Sequence, residues 1–212
     1  PFLPLEWNYN VELYFRFCPL NGIIMLNYTV TLATKTDMDT KVRPLYDTPR
    51  RFYHTHRHAV DVAYAAMHIS RQMRFTADER MEYLPERVAD TLWVAGMWHD
   101  AIYVVGAPDN EELSAITLLS HYPEMVVAAD LIKKTTITDH FDESITWEAN
   151  PMLCCLLDAD IRSLSYSYDR FVAAQLEIAA ENGTYEITIA HVDFLKRFLA
   201  KNRIYRAPMS DI

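Results

Sequence analysis

Residues 88–104 read VADTLWVAGMWHDAIYV and are apolar nearly all the way around a helical repeat. A segment of this kind is expected to form the central helix of a domain. The sequence places His99 and Asp100 in the middle of that predicted helix. A buried carboxylate without a partner costs several kcal/mol, so Asp100 requires a cation or hydrogen-bond donors beside it.

The composition of the chain favours helices. Its 212 residues are enough for one domain with its own core. Glycine and proline together number 4 + 10 = 14, roughly 7 % of the chain against an average usage of about 12 %. Because so few residues break helices, we predict an all-α fold, a helical bundle, rather than a turn-rich sandwich or barrel.

The charge and the hydropathy exclude two classes of partner. No apolar run approaches the roughly 18 residues of a membrane span, and the mean hydropathy of −0.10 predicts a soluble protein. The net charge of −9 argues against binding duplex nucleic acid, which requires lysine and arginine to neutralise phosphates. Binding of a small phosphorylated ligand in one local pocket is compatible with this charge. Three cysteines without framework spacing predict a reducing, cytoplasmic location.

A helical period begins near residue 55. His58 lies on one stripe with apolar residues at the spacings i+4, i+7, i+11 and i+15, namely Val62, Ala65, Ile69 and Met73. Capping and breaking residues predict further helices, which open at Thr76, at Asp109 (to Ser120), at Pro123 (to Thr136), at Pro151 (to Ile161), at Ser165 (to Asn182) and at Thr184. We assign these helices to one domain, residues 41–212.

Residues 1–40 are predicted to be an N-terminal extension. Six of the first 24 residues are aromatic. Apolar and polar residues alternate from Tyr9 to Phe17, Asn21-Gly22 is a hairpin turn signal, and alternation resumes over 28–32, so we predict a β-hairpin. This aromatic segment either packs on its own domain or forms a homodimer contact, and both interpretations stay open.

Metal-ligand residue types recur on the predicted buried helix faces. They are His58 with His54 one turn before it, the His99-Asp100 doublet, and Asp158 with Asp160. One divalent ion would partner all of these groups, and a mixed nitrogen and oxygen set suits Mn, Fe, Co, Ni, Zn or Mg rather than a thiolate zinc site. The alternative is structural: a single histidine on an apolar stripe is often a core residue, and an aspartate near a helix end is often a cap.

The chain resembles a known family along most of its length. Tyr53-His54-x3-His58-Ala59 resembles the opening motif of HD-superfamily metal-dependent phosphohydrolases and is similar to that of cyclic-nucleotide phosphodiesterases. The bacterial and phage group of predicted HD phosphohydrolases is the nearer resemblance. Its signatures occur in order as Trp98–Tyr103, Asp109–Ala115, Ile132–His140, Leu157–Ile161 and Arg203–Pro208. The resemblance covers about residues 46–208.

The resemblance implies a set of metal ligands. They are His58, His99, Asp100 and Asp160, holding one divalent ion. Asp160 is preferred to Asp158 because the family's aspartate precedes a Leu or Ile, here Ile161; two residues two positions apart on a helix also point about 200° apart. His140 and His121 are the candidates for a second metal or for the phosphate.

The resemblance also implies catalytic and binding residues. His54 matches the histidine that protonates the leaving oxygen in the phosphodiesterases. Glu111 lies in the Asn110–Ser114 motif and is a second catalytic candidate, although helix capping explains that motif equally well. Arg51, Asn110 and Lys133 are the substrate-binding candidates. The sequence departs from the family near residues 175–178, where only Glu177 is retained.

The function implied by the resemblance is hydrolysis of a phosphate ester or anhydride by metal-activated water. The expected substrate is a small phosphorylated molecule, a nucleotide or cyclic nucleotide. Two alternatives stay open. An HD-type di-iron oxygenase would need two more histidine ligands, for which His121 and His140 are available. A non-catalytic HD domain would sense nucleotides or bind a protein partner.

Overall fold

The computed structural model describes residues 15–17, 24–26, 30–72 and 84–208. Within these ranges the chain is predominantly helical, which confirms the predicted fold class. The elements are β1 (Phe15–Phe17), β2 (Ile24–Leu26), α1 (Leu32–Tyr46), α2 (His56–Gln72), α3 (Leu84–Trp98), α4 (Asn110–His121), α5 (Val126–Ile132), α6 (Ile137–Phe141), α7 (Pro151–Asp160), a 3-10 helix (Ile161–Ser165), α8 (Tyr168–Glu181) and α9 (Ile189–Leu199).

Helices α2, α3 and α7 form the centre of the domain. Each of the three packs against the other two, and α3 also packs against α5. Val62, Ala65 and Ile69 of α2 are buried together with His58, as the predicted stripe requires. The last member of that stripe, Met73, and the predicted helix start at Thr76 lie outside the described residues.

Helix α3 ends earlier than predicted. Its last residue is Trp98, so His99 and Asp100 follow the helix instead of lying in its middle. The Ala101 amide donates to the Trp98 carbonyl at 3.1 Å, which closes a turn there. The apolar residues that suggested a longer helix belong to a loop, and the backbone of that loop is held by side chains of α4.

Three other helix bounds differ from the prediction. Helix α5 covers only Val126–Ile132, and α8 begins at Tyr168, after Ser167. Helix α9 is capped by Thr188, whose hydroxyl accepts from the His191 amide at 3.2 Å. Thr184 does not cap α9, because its amide and its hydroxyl both donate to the Ala179 carbonyl near the end of α8.

Helix α1 crosses the predicted domain boundary between residues 40 and 41. It buries Met38 and Val42 completely. Lys35 of α1 places its Nζ 2.6 Å from Asp90 Oδ1 on α3. The Tyr46 hydroxyl donates to the Met97 carbonyl at 3.0 Å. The apolar contacts and the ion pair together attach α1 to the central helix.

The two strands pair antiparallel, with Phe15 opposite Leu26. The other residues of the predicted first strand and the Asn21-Gly22 turn lie outside the described residues. The second strand was predicted over residues 28–32, but β2 covers Ile24–Leu26, and Leu32 begins α1. The Thr31 hydroxyl caps that helix by accepting from the Thr34 amide at 3.1 Å.

None of the helices in the described ranges combines the length and the apolar character that crossing a bilayer requires.

Gly96 sets the distance between α2 and α3. A Cβ atom at this position would lie 2.5 Å from Ala63 Cα and 2.7 Å from Ala63 N, and both of these are backbone atoms. We therefore expect Gly96→Ala to separate the two helices and to lower the free energy of unfolding by about 1–3 kcal/mol in urea denaturation. The control is Ala173→Met on the exposed surface of α8, for which a change within about 0.5 kcal/mol is expected. Equal stability of the two variants would show that this close approach is not a constraint.

Candidate metal centre

The ends of the three central helices bring four candidate ligands together. His58 lies in the first turn of α2, the His99-Asp100 doublet directly follows α3, and Asp160 is the last residue of α7. Because α2, α3 and α7 pack against one another, these ends meet at one edge of the core. His99 is almost fully buried, and the side chain of Asp160 keeps 18 % of its surface exposed.

The separations between the ligand atoms suit one ion. His58 Nε2 lies 3.1 Å from Asp160 Oδ1 and 3.7 Å from Asp100 Oδ2. His99 Nε2 lies 3.0 Å from Asp100 Oδ2 and 3.3 Å from Asp160 Oδ1. Two atoms that each bind an ion at about 2.1 Å are about 3.0 Å apart at a right angle and about 3.4 Å apart at a tetrahedral angle. His58, His99 and Asp160 can thus hold a metal ion, and Asp100 borders this group at the ring nitrogens of His58 and His99.

The hydrogen bonding of His99 indicates that a cation belongs in the cluster. His99 Nδ1 lies 2.8 Å from the Gly96 carbonyl, which can only accept, so Nδ1 carries a hydrogen. Neutral His99 therefore directs the lone pair of Nε2 toward the carboxylates. Both His99 Nε2 and Asp100 Oδ2 are buried without a hydrogen bond among the described residues. Two facing lone pairs repel each other, and a metal ion or a proton between them removes that repulsion.

The pKa values of the cluster agree with this requirement. Burial acts to lower the pKa of His99, but the carboxylates of Asp100 and Asp160 outweigh it and raise that pKa well above its ordinary value. Burial acts to raise the pKa of Asp100, but the charge of His99 lowers it to about 2. The pKa of Asp160 lies well below its ordinary value, because His99 and the hydrogen bonds from His140 and His58 also outweigh burial. Without a metal, a proton on His99 takes the place of the cation.

The two aspartates at the end of α7 have different partners. Asp158 accepts from the Arg206 amide at 2.9 and 2.8 Å and from the Ala207 amide at 2.7 Å. It therefore holds the C-terminal segment and does not contact the cluster. Of these two aspartates only Asp160 faces His58 and His99, which is the arrangement that the sequence interpretation preferred.

His140 contacts the same carboxylate from the opposite side. Its Nε2 lies 2.9 Å from Asp160 Oδ2, the oxygen that does not face His58. Because ionised Asp160 can only accept, His140 donates through Nε2. In this arrangement His140 orients Asp160 and presents no lone pair from Nε2 to a metal.

His54 lies beside the cluster and is held by a residue that the sequence analysis missed. His54 Nδ1 lies 2.5 Å from Glu181 Oε2. The other oxygen of Glu181, Oε1, accepts from the amides of Phe52, Tyr53 and His54 at 2.8 to 2.9 Å. The His54 ring also stacks on Tyr103, with 4.0 Å between ring centroids. Glu181 was missed because it lies at the C-terminal end of α8, where the sequence shows only an acidic residue before an Asn-Gly helix stop.

Burial and the neighbouring carboxylates act in opposite directions on the protonation of His54. Burial acts to lower the pKa of this histidine. The charge of Asp100 and the hydrogen bond that His54 donates to Glu181 act in the opposite direction and raise the pKa above its ordinary value. The protonated form is therefore favoured, and with Nδ1 bonded to Glu181, Nε2 is the nitrogen that faces away from that carboxylate.

Arg51 bonds to backbone and hydroxyl groups of the protein, and its contact with substrate stays a prediction. Its Nη1 donates to the carbonyls of His54 and Asp100 at 3.1 and 2.7 Å, and its Nη2 donates to the Ala101 carbonyl at 3.0 Å. Its Nε donates to the Thr48 hydroxyl at 2.9 Å. Because the guanidinium is committed to these groups, it ties the loop before α2 to the loop that carries Asp100.

Asn110 was also predicted to bind substrate, and its amide is likewise committed to the backbone. Asn110 Oδ1 accepts from the Val104 amide at 2.8 Å, and Nδ2 donates to the Val104 carbonyl at 2.9 Å. Ser114 accepts from the Ile102 amide at 3.0 Å. The two side chains fix the loop after Asp100, which also contains Tyr103. Asp109 is the N-cap residue of α4, as expected, but its side chain makes no capping hydrogen bond.

The remaining candidates are distributed around α4. Glu111 lies in the first turn of α4; burial, and then the charges of Asp100 and Asp160, raise its pKa, and its catalytic role stays a prediction. Lys133 forms an ion pair with Glu112, with 3.0 Å between Nζ and Oε1. This pair accounts for the position of the lysine without a bound phosphate. His121 is exposed at the end of α4, next to the rings of Trp98 and Tyr122, so it is not part of the cluster.

No protein-family model matches the chain, and no curated protein or solved structure matches it either. The chemistry of the site therefore carries its interpretation.

Metal loading should stabilise the fold, because an ion that binds only the folded state adds its binding free energy to stability. Chelator-stripped protein given Mn²⁺, Co²⁺ or Zn²⁺ at 100 times its dissociation constant should gain about 2.7 kcal/mol and melt at a higher temperature in calorimetry. The gain should be larger at pH 8 than at pH 6, because the metal has to displace the proton on His99.

Asp100→Asn should lose most of this stabilisation, because the substitution removes an anionic ligand. Asp130→Asn, on the exposed surface of α5, is the matched control and should keep it. Identical melting with and without metal for the unsubstituted protein would contradict a metal centre.

Proposed function

We propose that the protein is a metal-dependent phosphohydrolase of the HD type, which cleaves a phosphate ester or anhydride. The observation that supports the proposal is the placement of a histidine beside the possible metal group of His58, His99 and Asp160: His54, held by Glu181, lies next to His58, with 5.6 Å between ring centroids. The order of these residues along the chain adds the resemblance to HD phosphohydrolases. The nucleotide part of the proposed substrate rests on that resemblance alone.

A divalent ion bound by the four ligands would supply an activated water and would stabilise charge on the phosphoryl oxygens. The two carboxylates and two neutral imidazoles make a ligand set of charge −2, which a dication neutralises. An anionic substrate would therefore approach a neutral centre. This explains how a chain with a net charge of −9 could act on a phosphate.

His54 would supply the proton for the leaving oxygen. Glu181 accepts from Nδ1 and so leaves Nε2 to carry that proton, and stacking on Tyr103 fixes the plane of the ring. The backbone of residues 52–54 is anchored by the second oxygen of Glu181. The position of the donor thus depends on one buried carboxylate, as expected for general acid catalysis by histidine.

The di-iron oxygenase alternative receives less support. It requires two histidine ligands beyond the four-residue cluster. His140 contacts Asp160, but His121 is exposed at the end of α4 beside Trp98. Of the two histidines proposed for this role, only His140 lies at the cluster.

The proposal predicts metal-dependent hydrolysis with a specific dependence on the leaving group. Protein reloaded with Mn²⁺, Co²⁺, Ni²⁺, Mg²⁺ or Zn²⁺ would be assayed against nucleotide, cyclic-nucleotide and simple phosphodiester panels. His54→Asn should reduce kcat for esters with poor, alkyl leaving groups by about 10²–10⁴-fold. It should leave hydrolysis of a dinitrophenyl ester nearly unchanged, because that leaving group needs no proton.

Glu181→Gln is the matched variant, since it keeps an oxygen for the three amides and removes the carboxylate from His54. It should show the same selectivity for poor leaving groups with a smaller loss. Absence of metal-dependent turnover on every panel would reject the hydrolase. A bound nucleotide without turnover would instead favour the binding-domain alternative, and two irons per chain with oxygen consumption would favour the oxygenase.

A further inference from the structure

The C-terminal segment Lys201–Ala207 contacts the backbone around His140, the residue that orients Asp160. Arg206 is buried, with 8 % of its surface exposed. Its Nη2 donates to three carbonyls, those of Asp139, His140 and Asp142, at 2.8, 3.0 and 3.2 Å. Its Nε donates to the Ile145 carbonyl at 3.3 Å. One guanidinium therefore gathers the carbonyls at the end of α6.

A second cation also donates to the His140 carbonyl. Lys201 Nζ donates to the His140 carbonyl at 2.6 Å. The His140 backbone is thus held by two charged donors from one segment. Charge-assisted hydrogen bonds of this kind are stronger than those between neutral groups, so they fix the position from which the His140 ring extends.

Helix α7 holds the segment in turn. Asp158 accepts from the amides of Arg206 and Ala207, one turn or less from Asp160 in the same helix. The contacts therefore form a closed ring: from Asp158 to the C-terminal segment, from its cations to the end of α6, and from His140 back to Asp160. Every link is a hydrogen bond to a buried or partly buried group.

We propose that Lys201 and Arg206 are positioning residues for the metal centre, acting through His140 on the carboxylate of Asp160. The inference rests on the proposed function, because it assumes that Asp160 is a metal ligand. His140 binds Asp160 Oδ2 and so directs Oδ1 toward His58 and His99. Residues that orient a ligand in this way typically contribute 10–100-fold to metal affinity.

The test is a titration of the metal-free protein with Co²⁺, followed by visible absorption, which reports both affinity and ligand geometry. Arg206→Met should weaken Co²⁺ binding by about 10–100-fold and change the absorption bands. Arg206→Lys should recover part of the affinity, because one ammonium group can still donate to some of these carbonyls. Lys201→Met removes a single, partly exposed donor and should change affinity in the same direction with a smaller effect, while leaving the fold intact.

Lys35→Met is the matched control for general loss of stability. It removes the ion pair with Asp90 on the α1 side of α3, so it should lower the melting temperature without changing Co²⁺ affinity or spectrum. Co²⁺ binding by the Arg206 and Lys201 variants that equals that of the unsubstituted protein would overturn the positioning role and leave the proposed function intact. An unsubstituted protein that binds no Co²⁺ would overturn both.

Discussion

The repulsion between His99 and the carboxylates around it is the constraint on which the site depends. The hydrogen of His99 Nδ1 is directed to the Gly96 carbonyl, and Nε2 faces Asp100 and Asp160 at 3.0 and 3.3 Å. Removing two carboxylates from water is costly unless a cation compensates them. The fold creates this demand at the point where three core helices end, and a divalent ion could satisfy it, because the separations between the side-chain atoms suit metal–nitrogen and metal–oxygen bonds.

The loops around the cluster are held by charged side chains that bond to backbone. Arg51 gathers carbonyls on one side, Glu181 gathers amides on another, and Arg206 gathers the carbonyls at the end of α6. Irregular backbone near a core leaves polar groups to be satisfied, and a single fork of donors or acceptors satisfies several of them. These charges therefore fix the backbone on three sides of the cluster.

The sequence predicted the helical class and much of the cluster, because both depend on local pattern. The stripe that contains His58 is buried as its period requires, and Asp160 is separated from Asp158 by their two-residue spacing on α7. The end of α3 was not predictable in the same way, since Ile102 and the valines after it continue the apolar pattern. Their conformation depends on Asn110 and Ser114, which come from the next helix.

The roles of Arg51 and Glu181 could not be read from sequence because their partners are backbone groups distant along the chain. Glu181 lies 127 residues from His54, with which it pairs.

The measurement that tests the account most directly is anomalous diffraction at the cobalt absorption edge, from crystals of stripped protein loaded with Co²⁺. The account predicts an anomalous peak at bonding distance, about 2.1 Å, from His58, His99, Asp100 and Asp160. Loaded crystals with no peak between these four side chains would contradict it.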